Sequence, residues 1–242
     1  MNNKNLGFTL AEVLITLGII GVVAALTMPM LMQKYNNSVA ETRLKKFYTT
    51  MNQAILMAKN DFGDFPWDGY SVFEEQEEDG TPKKDENGVP IDQNARTNVA
   101  YNKYWAPYLK TSSTKTVKDA EGCERVLHYF SDGSAFAFQN SNNRDLEFFP
   151  SHAKKCLSFK SEERNGSCSF KFLFGSHLST TTYSNVWKYH FKKGLEPYLY
   201  SWNGNRSSLM NDCKTGLRWY CTALISQNGW KVPKDYPKKI KF

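Results

Sequence analysis

A chain of 242 residues with a formal net charge of +7 has room for one moderate globular domain beside a long helix, and no internal repeat divides it. Its five cysteines show neither CxxC nor Cys/His spacing, which argues against a zinc site and for the disulfides of an exported domain. The charge is uneven, with eight acids against two lysines in residues 74–92 and five lysines against one acid from Lys231 to Phe242; such runs are more often solvated faces than a partner's footprint.

The first element is the most informative. From Phe8 to Met32 there are 25 residues, of which only Glu12 is ionisable. As a helix the segment is about 37 Å long, enough to cross a hydrocarbon core of about 30 Å with some tilt. A carboxylate at that depth costs about 2.5–3.5 kcal/mol on insertion scales and marks a functional position. By composition alone the segment reads as a single-pass anchor. A cleaved secretory signal fits badly, because such signals place the apolar run before the cleavage point. Here the plausible processing point, Gly7-Phe8, precedes it.

The run Asn5-Leu6-Gly7-Phe8-Thr9-Leu10-Ala11-Glu12-Val13-Leu14-Ile15, followed by Gly18, Gly21 and Pro29, resembles the class III signal of type IV pilins and type II secretion pseudopilins. The resemblance implies cleavage between Gly7 and Phe8 by a prepilin peptidase and N-methylation of Phe8. It also implies assembly through Glu12, with Gly21 and Pro29 as the helix-loosening positions. Ala11 stands where a larger aliphatic residue is commoner in the family. A buried pair between one chain's Phe8 amine and another's Glu12 would act mainly as a register device, because breaking one partner is costly. Pro29 removes a helical hydrogen bond, so the stretch from Gly18 to Pro29 is the weakest part of the helix, as a simple kink or as a segment that melts on assembly.

Counting cations places the large domain in the cytoplasm, since Lys34, Arg43, Lys45 and Lys46 follow the apolar run and Lys4 precedes it. The family has the opposite orientation, with a cytoplasmic N-terminus, and long domains translocate with little regard to charge. The family orientation is adopted.

Beyond the membrane the helix continues, with Val39, Leu44, Phe47, Met51, Ile55, Ala58 and Phe62 recurring at steps of three to five residues. Gly63 and Pro66 end it. Residues 64–98 read as a long loop; Asp85 to Asp92 lacks the alternating acids of an EF-hand, and Asn87-Gly88 reads as a turn. Tyr101 to Leu109 is a short aromatic segment that reads as a helix broken at Pro107. Val126–Phe130 and Ala135–Phe138 flank Ser131-Asp132-Gly133-Ser134, a hairpin signal, and Ser169–Phe174 alternates as a further strand. The end of the chain mixes aromatics with turns and reads as an extension over one end of the sheet. The expected fold is therefore α+β and pilin-like: leader 1–7, membrane and assembly helix 8–32, amphipathic continuation 33–63, and a β-rich domain over 64–242.

Cys213 and Cys221 close a short loop of the kind that recurs near the C-terminus of pilins, and Cys156 and Cys168 flank a charged stretch suited to a hairpin. Both are disulfide candidates; Cys123 is left over as a free thiol or the partner in another pairing, and the connectivity stays open. His128, His152, His177 and His190 are scattered, and no phosphate loop, GxSxG elbow or paired-carboxylate pattern is present. The expectation is no enzyme, no cofactor and no metal. The partners the family implies are other pilin-like subunits, a prepilin peptidase, an assembly ATPase, an inner-membrane platform protein and the membrane itself, with a periplasmic or cell-surface filament as the destination. The alternative is a minor pilin that binds DNA during uptake through the basic aromatic stretch from Tyr183 to Lys193, which reads equally as a buried strand with exposed lysines.

Overall fold

The computed structural model describes residues 9–63, 101–138, 145–174, 194–199, 202, 204–216 and 219–242. Gly7, Phe8, the expected loop 64–98 with its acidic stretch 74–92 and expected Asn87-Gly88 turn, and the basic aromatic stretch 183–193 lie outside the described residues.

A single helix, α1, runs from Leu10 to Phe62 and ends where Gly63, at φ 89°, donates its N–H to the Lys59 carbonyl at 2.9 Å. Its second half buries Ala40, Leu44, Phe47, Met51, Ala54, Ile55 and Ala58. That is a stripe of three- and four-residue steps, the spacing that puts side chains on one helical face. Opposite lies a six-stranded antiparallel sheet in chain order: β1 (Thr111–Lys118), β2 (Glu124–Phe130), β3 (Ala135–Phe138), β4 (Asp145–Phe149), β5 (Phe170–Phe174) and β6 (Leu195–Pro197). This is the α+β, pilin-like arrangement expected.

Strand alternation decides which side chains meet the helix. Phe136, Phe138, Leu146, Phe148, Phe170 and Phe172 share the α1 core, and Phe47 stacks on Phe148 with ring centroids 4.2 Å apart. Alternate residues Leu127, Ala135, Ala137 and Phe149 fall in a second cluster, packed with Ala153, Cys156 and Leu157. The β2–β3 hairpin turns on Gly133, at φ 79°, and Asp132 Oδ1 accepts from the Ser134 N–H and hydroxyl.

The aromatic segment before Pro107 is helical, as expected: Tyr101–Trp105 forms a π-helical turn that buries Tyr101, Tyr104 and Trp105. Three features differ from the sequence reading. Strand β1 is polar and mostly exposed, so no alternation announces it; its ladder with β2 supplies the hydrogen bonds that make it a strand. The stretch between Cys156 and Cys168 is not a hairpin: the short helices α2 (Ala153–Leu157) and α3 (Ser161–Arg164) reverse the chain there. The C-terminal extension contains two helices, α4 (Arg206–Thr215) and α5 (Cys221–Gln227), around their own cluster of Leu209, Tyr220, Ala223 and Leu224.

Candidate functional site: the exposed N-terminal helix

The first half of α1 is apolar enough over an 18-residue window to cross a membrane, and none of that window is buried against the domain. Leu10 and Leu26 are 78% and 74% exposed, and Leu14, Ile15, Ile19, Ile20, Val22, Leu31 and Met32 are exposed with them. An uninterrupted apolar surface of this size does not persist in water; it requires lipid or other apolar helices around it.

At the head of the helix Thr9 is the N-cap. Glu12 Oε2 accepts from the Thr9 N–H and from the Thr9 hydroxyl, each at 2.8 Å, while Thr9 Oγ1 accepts the Glu12 N–H at 3.3 Å. This is a capping box, in which the first-turn donors and the carboxylate satisfy one another. Sequence reasoning assigned Glu12 a partner in another chain and missed its partner three residues away. The signal was present as Thr9-x-x-Glu12, the S/T-x-x-E pattern.

Gly18, Gly21 and Pro29 all lie within the unbroken helix. A Cβ at Gly18 or Gly21 would meet nothing within 4 Å, so neither glycine is required by packing inside the protomer. Pro29 has no N–H to give the Ala25 carbonyl. Two residues earlier, the Thr27 hydroxyl donates to the Val23 carbonyl at 2.9 Å. Glu12, Gly21 and Pro29 stand at different heights on one helix, about 13 and 12 Å apart along its axis.

The second half of α1 is bound to the domain by polar contacts at its margins. Arg43 donates to the main-chain oxygens of Pro150 and Asp132, and Lys46 pairs with Asp132 at 2.8 Å. Glu41 accepts from the Val232 N–H at 2.9 Å and from Lys231 Nζ at 2.8 Å. Near the membrane segment, Gln33 and Asn36 donate to the Ile240 carbonyl at 3.4 and 3.2 Å. Asn52 donates to the Leu195 carbonyl and accepts from its N–H, fixing β6 to the helix.

Cys156 is bonded to Cys168 and Cys213 to Cys221, with Cα separations of 5.8 and 4.7 Å; Cys123 is the free, exposed thiol. The first bridge lies in the cluster around Ala153 and Leu157, the second in the cluster of the C-terminal helices. Gly166, at φ 74°, sits against the second bridge so closely that a Cβ there would lie 2.1 Å from Cys221 Sγ.

The sheet face away from the α1 core carries a buried charge network that sequence reasoning did not find. Glu147 on β4 pairs with Lys171 on β5 at 2.6 Å and with Arg164 Nε at 3.0 Å. Arg164 reaches Glu121 at 2.8 Å and Asp119 at 3.6 Å, and Asp119 binds Arg125 at 2.8 Å. Burial opposes the charge on Glu147, but Lys171 and Arg164 overcome it and hold the carboxyl well below its usual range. For Lys171, which also lies 4.9 Å from the Trp219 ring centroid, burial prevails and lowers the ammonium pKa. The network joins β4, β5, α3 and the β1–β2 turn. Its residues are linked to one another, and among the described residues no group of three or more His, Cys, Asp or Glu could hold a metal ion.

His128 on β2 is buried and stacked on Tyr101, a core position. Thus the described surface feature with no partner inside the protomer is the apolar half of α1. A helix with a capped acidic head, an exposed apolar shaft and a foot clamped to an antiparallel sheet defines a membrane-anchored, pilin-like subunit. Residues 2–28 match the prokaryotic N-terminal methylation motif, the prepilin-type signal, which implies processing by prepilin peptidase. Residues 30–240 match the Family of unknown function (DUF6613), and the chain belongs to that family. No curated protein and no solved structure matches the chain.

Proposed function

We propose that the chain is a structural subunit of a type IV pilus or type II secretion pseudopilus. In this reading residues 1–7 are a leader, 8–32 the membrane and assembly helix, 33–63 its amphipathic continuation and 64–242 the globular domain. Prepilin peptidase cuts between Gly7 and Phe8 and Phe8 is N-methylated. The subunit waits in the inner membrane with its N-terminus cytoplasmic. An assembly ATPase and a platform protein then drive it into a filament with other pilin-like subunits.

The observation that supports this best is the contrast along α1: one half buries a face against the domain, the other is covered by nothing in the protomer. The exposed half has two solvents of equal polarity available, lipid tails before assembly and neighbouring α1 shafts after it, so transfer between them costs little in hydrophobic energy. What then sets the axial step is the polar head. Glu12 trades its Thr9 hydrogen bonds for the Phe8 amine of another subunit, and a misregistered neighbour leaves that carboxylate unpaired in an apolar core. Gly21 and Pro29 supply the weak helical stretch that yields during packing.

Two measurements on protein from its host test this. Mass spectrometry should find Phe8 as the N-terminal residue with one added methyl group. Sheared fractions should contain filaments from the wild type and none from Glu12→Leu, although that variant still inserts. An intact Met1 terminus, or normal filaments from Glu12→Leu, would sink the proposal. DNA retention that falls steeply with added salt would instead favour the DNA-binding alternative.

A further inference from the structure

The height of the domain above the bilayer follows from α1 and one short tail. The apolar run ends at Met32, and at about 1.5 Å per residue Gln33 and Asn36 stand about 1.5 and 6 Å beyond it along the axis. Both donate to the carbonyl of Ile240, whose side chain is buried against the helix. The headgroup layer on each side of a bilayer is about 5–7 Å deep. Ile240 is therefore held at headgroup level, and its neighbours Lys239 and Lys241 lie within about 4 Å of it along the chain.

The same level gathers other cations. The Lys241 N–H donates to the Ser167 carbonyl at 3.3 Å, which brings the Cys156–Cys168 loop down to the tail. Lys155 Nζ donates to a main-chain oxygen of Phe242 at 3.3 Å, and Lys154 is beside it. Lys34, Lys154, Lys155, Lys239 and Lys241 are all exposed. Residues 150–169 and 230–242 together hold nine Lys and Arg against three acids, Glu162, Glu163 and Asp235; Arg164 is buried against Glu121 and Glu147 and Lys231 is bound to Glu41, which leaves seven lysines. Asp235 is already paired with Arg206, and Glu41 on the adjoining helix is occupied by Lys231. The excess of positive charge thus lies on the end of the domain that the helix holds against the membrane.

We propose that this end of the domain is a docking face for anionic phospholipid headgroups, engaged while the subunit is stored in the bilayer. The inference rests on the reading that α1 spans the membrane, and it does not require a filament. Lysine suits the role: a compact ammonium with three donors on a flexible stem reaches phosphate oxygens at varied positions, and its attraction to an anionic surface accumulates with each cation near that surface. Docking would set the tilt of α1 and its clamped domain together against the bilayer in the waiting state and would be released when α1 leaves the bilayer.

The test uses the full chain in lipid nanodiscs, either of phosphatidylcholine alone or with about 30% phosphatidylglycerol, the anionic headgroup acting as probe. Amide hydrogen exchange is followed over 150–169 and 230–242. Exchange in the anionic discs should be slowed about fivefold or more, and about 0.5 M salt should reverse it by screening. K34Q/K154Q/K155Q/K239Q/K241Q should exchange in anionic discs as it does in zwitterionic ones. The salt arm needs no variant, so a variant that loosens the tail does not blunt the test. Equal wild-type exchange in both discs overturns the inference, as does a slowing that the five-fold variant retains. Equal protection in zwitterionic discs by soluble glycerol phosphate overturns it too, since that would be a site for a free anion. Chain that enters neither disc overturns the membrane-spanning reading and this inference together; chain that enters both and shows no headgroup dependence overturns this one alone.

Discussion

Acidification should destabilise the globular domain in two separable stages, the first of which belongs to His128. Its imidazole is stacked on Tyr101 with ring centroids 3.7 Å apart and on Phe136 at 5.1 Å. Nδ1 lies 3.3 Å from the Thr114 hydroxyl, and Nε2 has no hydrogen-bond partner among the described residues. Burial lowers the pKa from 6.5 to about 4. The folded state therefore binds the proton more weakly than the unfolded chain. Stability is full above pH 6.5 and falls as pH drops toward 4. With those two values the loss between pH 7.5 and 4.5 is about 2.5 kcal/mol, rising to about 3 kcal/mol at pH 4. Denaturant unfolding of the detergent-solubilised chain at each pH measures it. His128→Phe, which keeps an aromatic ring among Tyr101, Phe136 and Phe138, should remove that increment and leave a nearly flat profile down to pH 4.5. If wild type and variant lose stability in parallel over this range, the buried neutral imidazole is not the cause. The second stage belongs to the paired carboxylates, Glu147 and Glu121, held below the ordinary 4.5, and Asp119 and Asp132, held below 3.8, whose contributions are lost only as pH falls beneath those values.

Other outcomes follow from the same packing. Glu147→Gln leaves Lys171 and Arg164 buried without their shared carboxylate and should cost about 3–5 kcal/mol in chemical denaturation, whereas E147L/K171M, which removes both members of the cross-strand pair, should cost distinctly less. Equal losses would mean that the pair contributes shape alone. Gly166→Ala should fail to form the Cys213–Cys221 bridge or lower the melting temperature by several degrees. Its Cβ has a positive φ to tolerate and a crosslinked sulfur 2.1 Å away, and an unchanged thermal scan with intact bridges on a thiol assay would refute the packing argument. Phe47→Ala, at the centre of the helix–sheet contact, should lose about 3–5 kcal/mol, read as a shift in denaturation midpoint without a change in membrane insertion.

The prepilin signal, the length of α1 and the middle of the face it buries were readable from local pattern, although the expected stripe overran at Phe62, which is exposed, and left out Ala40 and Ala54. One carboxylate in an apolar run, steps of three and four from Leu44 to Ala58, and a glycine at the end need no knowledge of distant residues, because a helix closes its hydrogen bonds within itself. The β2–β3 hairpin was legible for a similar reason, since Asp132-Gly133 and its flanking alternation are contiguous. Tertiary structure decided what depends on partners far away. Strand β1 exists because β2 offers its edge to a polar segment. The chain between Cys156 and Cys168 folds through a short helix instead of a hairpin, with Arg164 drawn under the sheet to Glu147 and Glu121. The basic tail lies at the foot of the domain because Gln33 and Asn36, more than 200 positions away in sequence, hold the Ile240 carbonyl. A charge or a backbone oxygen has no periodicity to betray its partner, so burial and pairing of this kind appear only once the sheet has brought the two ends of the chain together.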